Sequence, residues 1–212
     1  VVPVGLVMKQ PDLGTSLIIL ASGFYVIYFA GLSWKILAGG LSLITLMMPL
    51  IWSLLHDYQR KRIEILFDPS QDPLGAGYHT IQASIALGSG GFIGKGWLNG
   101  TQSQLDFLPE RTTDFIFAVF GEEFGLLGNI LLLALFSLII FRGFVIASRA
   151  HNTFCRLLAG SITLTFFTYV FVNIGMVSGI LPVVGVPLPF ISYGGTSLVT
   201  VLLGLEIGRA HV

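Results

Sequence analysis

Polar and apolar positions along this chain are sorted into long blocks instead of alternating. Between positions 157 and 205 the only ionisable side chains are tyrosines, and positions 13–34 and 36–55 carry no charge. A bilayer core takes about 20 apolar residues per helix, so blocks of this length predict spanning helices. The pattern predicts a short apolar helix at 1–8, then helices at 13–33, 36–55, 115–141, 157–181 and 193–205. Pro182, Pro187 and Pro189, with Gly179 and Gly185, divide the last charge-free block, because proline cannot continue a helix.

Gln10-Pro11-Asp12 reads as the first turn, with Asp12 placed to cap the helix that follows. Counting crossings assigns the connections to two faces. Among short connections one face carries Lys9 and the other carries Lys35, Arg142, Arg149 and Arg156. The positive-inside rule makes the second face cytoplasmic and turns the long segment 56–113 outward. That segment also holds Arg60, Lys61, Arg62, Lys95 and Arg111, and long segments obey the rule less strictly. Connections of this length are usually functional or disordered. Disorder does not suit this one, since Ile63-Glu64-Ile65-Leu66-Phe67 and the stretch 78–87 have the composition of short interfacial helices. Tyr78 and Trp97 suit headgroup depth.

Composition agrees with the blocks. The chain is 54% hydrophobic and 10% charged, with mean hydropathy +0.85, against about 25% charge in an ordinary soluble domain. Its 11 basic and 11 acidic residues cancel, so no global charge attracts nucleic acid. The lone Cys155 excludes an internal disulfide. The chain opens inside an apolar segment without methionine, and an amino-terminal part is expected upstream. Glu206-Ile207-Gly208-Arg209-Ala210-His211-Val212 matches the translation of a common sequencing adapter, so 1–205 is expected to be the native membrane domain and 206–212 a foreign tail.

The richest chemistry lies where the outer segment enters the apolar block at 115–141. Phe107-Leu108-Pro109-Glu110-Arg111-Thr112-Thr113-Asp114 brings three charges to that boundary, where ionisable groups are costly and usually functional. Asp114 or Thr113 could cap the helix. Asp114 could equally be a general base beside a membrane-bound substrate, its pKa raised by the apolar phase. Glu110 and Arg111 make either an exposed ion pair or a site in which Arg111 grips phosphate oxygens. Glu122 and Glu123, two turns further on, should face a cavity or a partner because lipid cannot solvate them, or else make polar contacts that pack helices. The run Gly88-Ser89-Gly90-Gly91-Phe92-Ile93-Gly94-Lys95-Gly96 is either a set of tight turns or an anion-binding nest. His56, His79 and His151 show no metal-ligand spacing. Asn173 should hydrogen-bond a neighbouring helix.

These segments together resemble the SEDS family of bacterial shape, elongation, division and sporulation proteins. The resemblance rests on Asn173, Gly179-Ile180-Leu181-Pro182, Gly185 and Phe190-Ile191-Ser192-Tyr193-Gly194-Gly195-Thr196-Ser197. It also rests on Gln10 to Thr15, Gly88 to Gly91, Phe107 to Glu110 and Thr113 to Ala118. Val183-Val184-Gly185-Val186-Pro187 is similar to the elongation-type version of the final loop. Thr112 departs from the histidine common in relatives, and Asp106 from glutamate.

The resemblance implies an all-α polytopic bundle of about ten helices, of which this chain supplies five to six. It implies a multi-pass protein of the bacterial cytoplasmic membrane that polymerises glycan strands from lipid II, inverting the anomeric centre. Asp114 would be the essential acidic residue. Glu110, Arg111, Lys95, Gln104, Ser192 and Tyr193 would contact substrate, and Glu122 and Glu123 would line the cavity. A lipid diphosphate leaving group calls for cations: Arg111, Lys95, or a divalent metal such as Mg or Mn. The implied partners are a class B penicillin-binding protein and the elongation machinery. Two other functions suit the same architecture: a lipid II flippase using Glu122 or Glu123, and a scaffold for the penicillin-binding protein.

Overall fold

The computed structural model describes residues 2–10, 12–55, 57–72, 75–105, 107–108 and 110–210. Pro11 of the first turn, His56, Asp106, Pro109 and the last two tail residues lie outside them. Among the described residues every regular element is helical. The order is α1 (Val2–Lys9), α2 (Leu13–Phe29), α3 (Trp34–Leu54), α4 (Asp57–Phe67), α5 (Ala76–Ser89), α6 (Thr101–Gln104), α7 (Ile116–Arg149), α8 (Thr153–Val177) and α9 (Gly195–Ala210). Two of them, α7 and α8, are long and apolar enough to cross a bilayer, and the apolar stretches of α2, α3 and α9 are shorter.

The boundaries follow local chemistry more than the apolar blocks do. Asp12 caps α2, accepting from the Thr15 amide at 2.9 Å. That helix stops at Phe29, short of position 33, because Gly31 takes φ +104°, a conformation glycine adopts without strain. Arg142 and Arg149 do not interrupt α7, which runs to Arg149 and not to 141. A cation in the last turn is favourable to the helix dipole. Asn152 then caps α8, accepting from the Cys155 amide at 2.8 Å, so α8 begins at Thr153 and the connection shrinks to 150–152. The last helix continues past 205 to Ala210.

In the long segment between α3 and α7, the two apolar stretches are the helices α4 and α5. Arg60 closes the carboxyl end of α3, donating to the carbonyls of Trp52 at 3.0 Å and Ser53 at 2.7 Å. Most of the large apolar side chains described on α3 are exposed, with Leu46 at 72%.

The centre of the bundle is the packing of α5, α7 and α8 with the final loop. Ala83 and Ala86 of α5 meet Leu108, Phe115, Phe117 and Ala118, and the cluster continues through Phe136, Phe166, Met176 and Leu188. Glycines allow the close approaches: a Cβ on Gly143 of α7 would strike Thr163 of α8, and the ring of Phe29 in α2 lies over Gly160. A hydrogen bond of 2.6 Å between the hydroxyls of Tyr25 and Thr168 ties α2 to α8.

Candidate active site

The stretch 110–115 folds into a tight turn immediately ahead of α7. Glu110 sits at φ +54°, a conformation rarely taken by a residue with a side chain and concentrated at functional sites. Its carbonyl accepts from the amides of Thr113 and Phe115 at 3.1 and 3.2 Å, and its carboxylate accepts from the Thr113 hydroxyl at 2.8 Å. The helix is capped by Phe115 without a side-chain bond, so neither Asp114 nor Thr113 serves as the cap that the sequence allowed.

The turn is held by the carboxy-terminal motifs through three successive carbonyls. The Tyr193 amide donates to Thr112 at 2.8 Å, the Ser192 hydroxyl to Thr113 at 2.6 Å, and the Asn173 amide group to Asp114 at 2.9 Å. The same Asn173 nitrogen donates to the Val186 carbonyl at 2.6 Å, and the Ser192 oxygen accepts from the Leu188 amide at 2.7 Å. With all three carbonyls engaged, the turn cannot rotate independently of the final loop. Asn173 therefore binds backbone, not a helix side chain. Ser192 holds the turn, and Tyr193 takes part through its amide while its side chain is 83% exposed.

With its backbone fixed, the Asp114 side chain is half-buried against the final loop. A Cβ built on Gly185 would lie 3.3 Å from Asp114 Oδ2, so glycine leaves the room the carboxylate occupies. Burial raises the Asp114 pKa above the ordinary aspartate value, the negative charge of Glu110 raises it further, and Arg62 opposes both. Arg62 stands at the loop because its guanidinium donates to the Val183 carbonyl at 2.6 Å. The sequence reading had only counted its charge. The run Arg60-Lys61-Arg62 is the one signal it offers, and nothing local connects it to Asp114.

Gly185 also forms part of the wall of a half-open cavity of about 600 Å³ between α2, α8, α9 and the final loop. Thr15, Ser161, Thr165, Tyr169, Thr196 and Thr200 are among its lining residues, and the hydroxyls of Ser161, Thr165 and Thr200 donate to carbonyls of their own helices. Its surface is mostly apolar, so it suits an apolar ligand group lying near the carboxylate.

The remaining candidates lie elsewhere. Glu122 is fully buried. Its carboxylate accepts from Lys95 Nζ at 2.6 Å, the amides of Thr101 and Gln102 at 2.8 and 3.1 Å, and the Thr101 hydroxyl at 3.0 Å. Lys95 is thereby committed to Glu122. Glu123 is buried beside it, and Gln104 is exposed on α6. Arg111 donates to the Ser103 carbonyl at the end of α6. The glycine run is a set of turns packed on α7: the amides of Lys95 and Gly96 donate to the carbonyls of Glu122 and Glu123 at 3.0 and 2.9 Å, which removes them from any anion nest. Among the described residues no three of His, Cys, Asp and Glu converge to hold a metal ion. Asp114 and Glu110 are the carboxylates available to a divalent cation, which would need further oxygens from a ligand.

An all-helical polytopic membrane bundle with an acidic turn locked to the loop between α8 and α9 is the class this arrangement defines. The chain belongs to the family of FtsW, RodA and SpoVE cell cycle proteins, whose sequence profile matches residues 1–208. The peptidoglycan glycosyltransferase MrdB of Escherichia coli (strain K12) is 59% identical over 97% of this chain and 56% of its own length. A chain of a solved peptidoglycan synthase complex, described as coordinating polymerization and crosslinking, aligns with TM-score 0.81 at 35% identity. It covers 98% of this chain and 58% of its own. The crystal structure of the Thermus thermophilus rod shape determining protein RodA aligns with TM-score 0.61 at 31% identity, over 98% of this chain and 52% of that one. The chain thus spans just over half the length of these relatives.

Proposed function

We propose that this chain forms the catalytic-loop half of a peptidoglycan glycosyltransferase that polymerises lipid II in the bacterial cytoplasmic membrane. The observation that carries this reading is the half-buried carboxyl of Asp114, fixed by Asn173 at the junction of the outer loop and α7, with a raised proton affinity. A carboxylate with its pKa lifted toward neutrality is a competent general base.

In the reaction, an acceptor sugar hydroxyl attacks the anomeric carbon of the donor. The new C–O bond forms as the bond to the diphosphate breaks, the hydroxyl proton passes to Asp114, and the lipid diphosphate leaves with the electron pair. Direct displacement inverts the anomeric centre. Arg62 is the cation placed near Asp114 to offset charge on the diphosphate, and Arg111 is anchored one residue from Glu110. A divalent ion such as Mg or Mn, held by Asp114 and Glu110, would supply further positive charge there. The naming of the E. coli relative as a peptidoglycan glycosyltransferase supports the activity. The aligned synthase complex supports pairing with a crosslinking partner, a class B penicillin-binding protein within the elongation machinery. The engagement of Glu122 by Lys95 takes that carboxylate out of a flippase relay and leaves Glu123 as the residue such a relay would have to use.

The test is direct. Purified full-length protein, alone and with its penicillin-binding partner, is given lipid II, and the products are separated by length. Glycan ladders support the reading, and unconsumed lipid II under both conditions refutes it.

A further inference from the structure

We infer that the tip of the outer loop, residues 92–98, is a membrane anchor seated in the lipid leaflet on the loop's side. This rests on the break in α7 and is independent of the catalytic reading. Gly125 leaves the helix at φ +65° and ψ −160°. A break frees amides after it and carbonyls before it, and such groups must find partners. The loop supplies four of them: the Leu126 and Leu127 amides donate to the carbonyls of Gly91 and Phe92 at 2.9 and 3.1 Å, while Lys95 and Gly96 donate back to Glu122 and Glu123. A Cβ on Gly94 would strike the Glu123 backbone, so the glycines permit this docking.

The docking sets the depth of the tip. Past the break, 126–149 rises about 36 Å at roughly 1.5 Å per residue, enough to span a bilayer core. Leu126 and Leu127 begin that span, with side chains 45% and 61% exposed, and the tip is bonded to their amides. The tip therefore lies level with the start of the spanning segment.

Its side chains suit lipid and not water. Phe92 is 74% exposed, Ile93 79%, Trp97 68% and Leu98 60%. Leu98 is held at φ +61°, unusual for a branched aliphatic residue. The ring of Trp97 lies 5.8 Å from that of Phe124, beside the break, which suits the interfacial preference of tryptophan. The one cation within the tip, Lys95, is turned inward onto Glu122 and so does not oppose burial in a low-dielectric phase. A scattered exposed leucine needs no explanation, but a contiguous apolar tip at membrane height does.

The experiment uses the full-length protein in phosphatidylcholine–phosphatidylglycerol nanodiscs. Nitroxides are placed singly by Ile93→Cys, Trp97→Cys and Leu98→Cys in a background with other cysteines replaced, and oxygen and nickel-chelate accessibility are compared. Oxygen accessibility exceeding chelate accessibility at all three sites is the expected result, as at a lipid-facing control, Leu131→Cys. Chelate accessibility exceeding oxygen would place the tip in water, and protection from both would place it against protein; either overturns the inference. Unlabelled protein gives a second reading. In brominated lipid, tryptophan emission should fall substantially, and the Trp97→Phe variant should lose about half or more of the quenched component. A component unchanged by Trp97→Phe would also overturn it.

Discussion

Asn173 in the last turns of α8 donates a hydrogen bond of 2.9 Å to the backbone carbonyl of Asp114, 59 positions earlier in the chain. The same nitrogen reaches Val186, so one buried side chain fastens the acidic turn to the final loop. Replacing Asn173 with Leu leaves two carbonyls without this donor. An unsatisfied buried acceptor costs about 1–3 kcal/mol. Asn173→Leu should lower the melting temperature of the full-length protein and reduce its polymerising rate at least tenfold. Thermal unfolding in detergent, followed with lipid II turnover, checks both.

The raised pKa of Asp114 has a defined sign in two measurements. As a base, Asp114 must be ionised, so the acid limb of the pH–rate profile should lie above the usual carboxylate range. Glu110→Gln removes a charge that raises the pKa and should move the limb down; Arg62→Gln removes a charge that lowers it and should move the limb up. For stability, the folded state binds this proton more tightly than the unfolded chain. The Asp114 contribution is therefore most favourable below the unfolded pKa and declines as pH rises toward the folded one. Asp114→Asn should flatten that decline in melting temperature measured against pH.

Lys95 and Glu122 make a prediction of a different kind. The Glu122 carboxylate is fully buried and Lys95 Nζ lies 2.6 Å away. Breaking a buried pair from one side costs about 3–5 kcal/mol, because the other charge is left uncompensated. Lys95→Met should destabilise by that order, and Lys95→Met with Glu122→Gln should recover part of the loss. A double-mutant cycle from equilibrium unfolding separates the two.

Gly94 tests the docking of the loop on the helix break. At φ +85°, with the Glu123 backbone in the path of any Cβ, Gly94→Ala should detach the loop. Amide exchange at Leu126 and Leu127, whose partners are Gly91 and Phe92, should quicken by an order of magnitude or more while α8 stays protected.

Much of this architecture could be read from residue order, and the unread parts share a cause. Apolar blocks of bilayer length announced α2, α3, α7, α8 and α9, since a lipid phase leaves few alternatives to a helix. Their ends were less legible, because a helix such as α7 continues through Arg142 and Arg149 once the apolar block has ended. Asp114, Glu110, Asn173 and Ser192 stood out as residue types in telling places. Their relation did not, because the bonds joining them cross 59 and 79 positions. Arg62 passed unnoticed for the same reason. Lys95 looked available to a phosphate because its partner lies 27 positions away, on the loop side of a break that only Gly125 marks.

The central claim is that the carboxyl at position 114 accepts the sugar proton. Full-length Asp114→Asn keeps the shape of the side chain and removes the base. The rate of glycan polymer formation from lipid II, measured beside wild type with both proteins equally inserted and at least equally stable, tests it most directly. The account predicts no polymer from the variant at any pH. Polymer at the wild-type rate would contradict it.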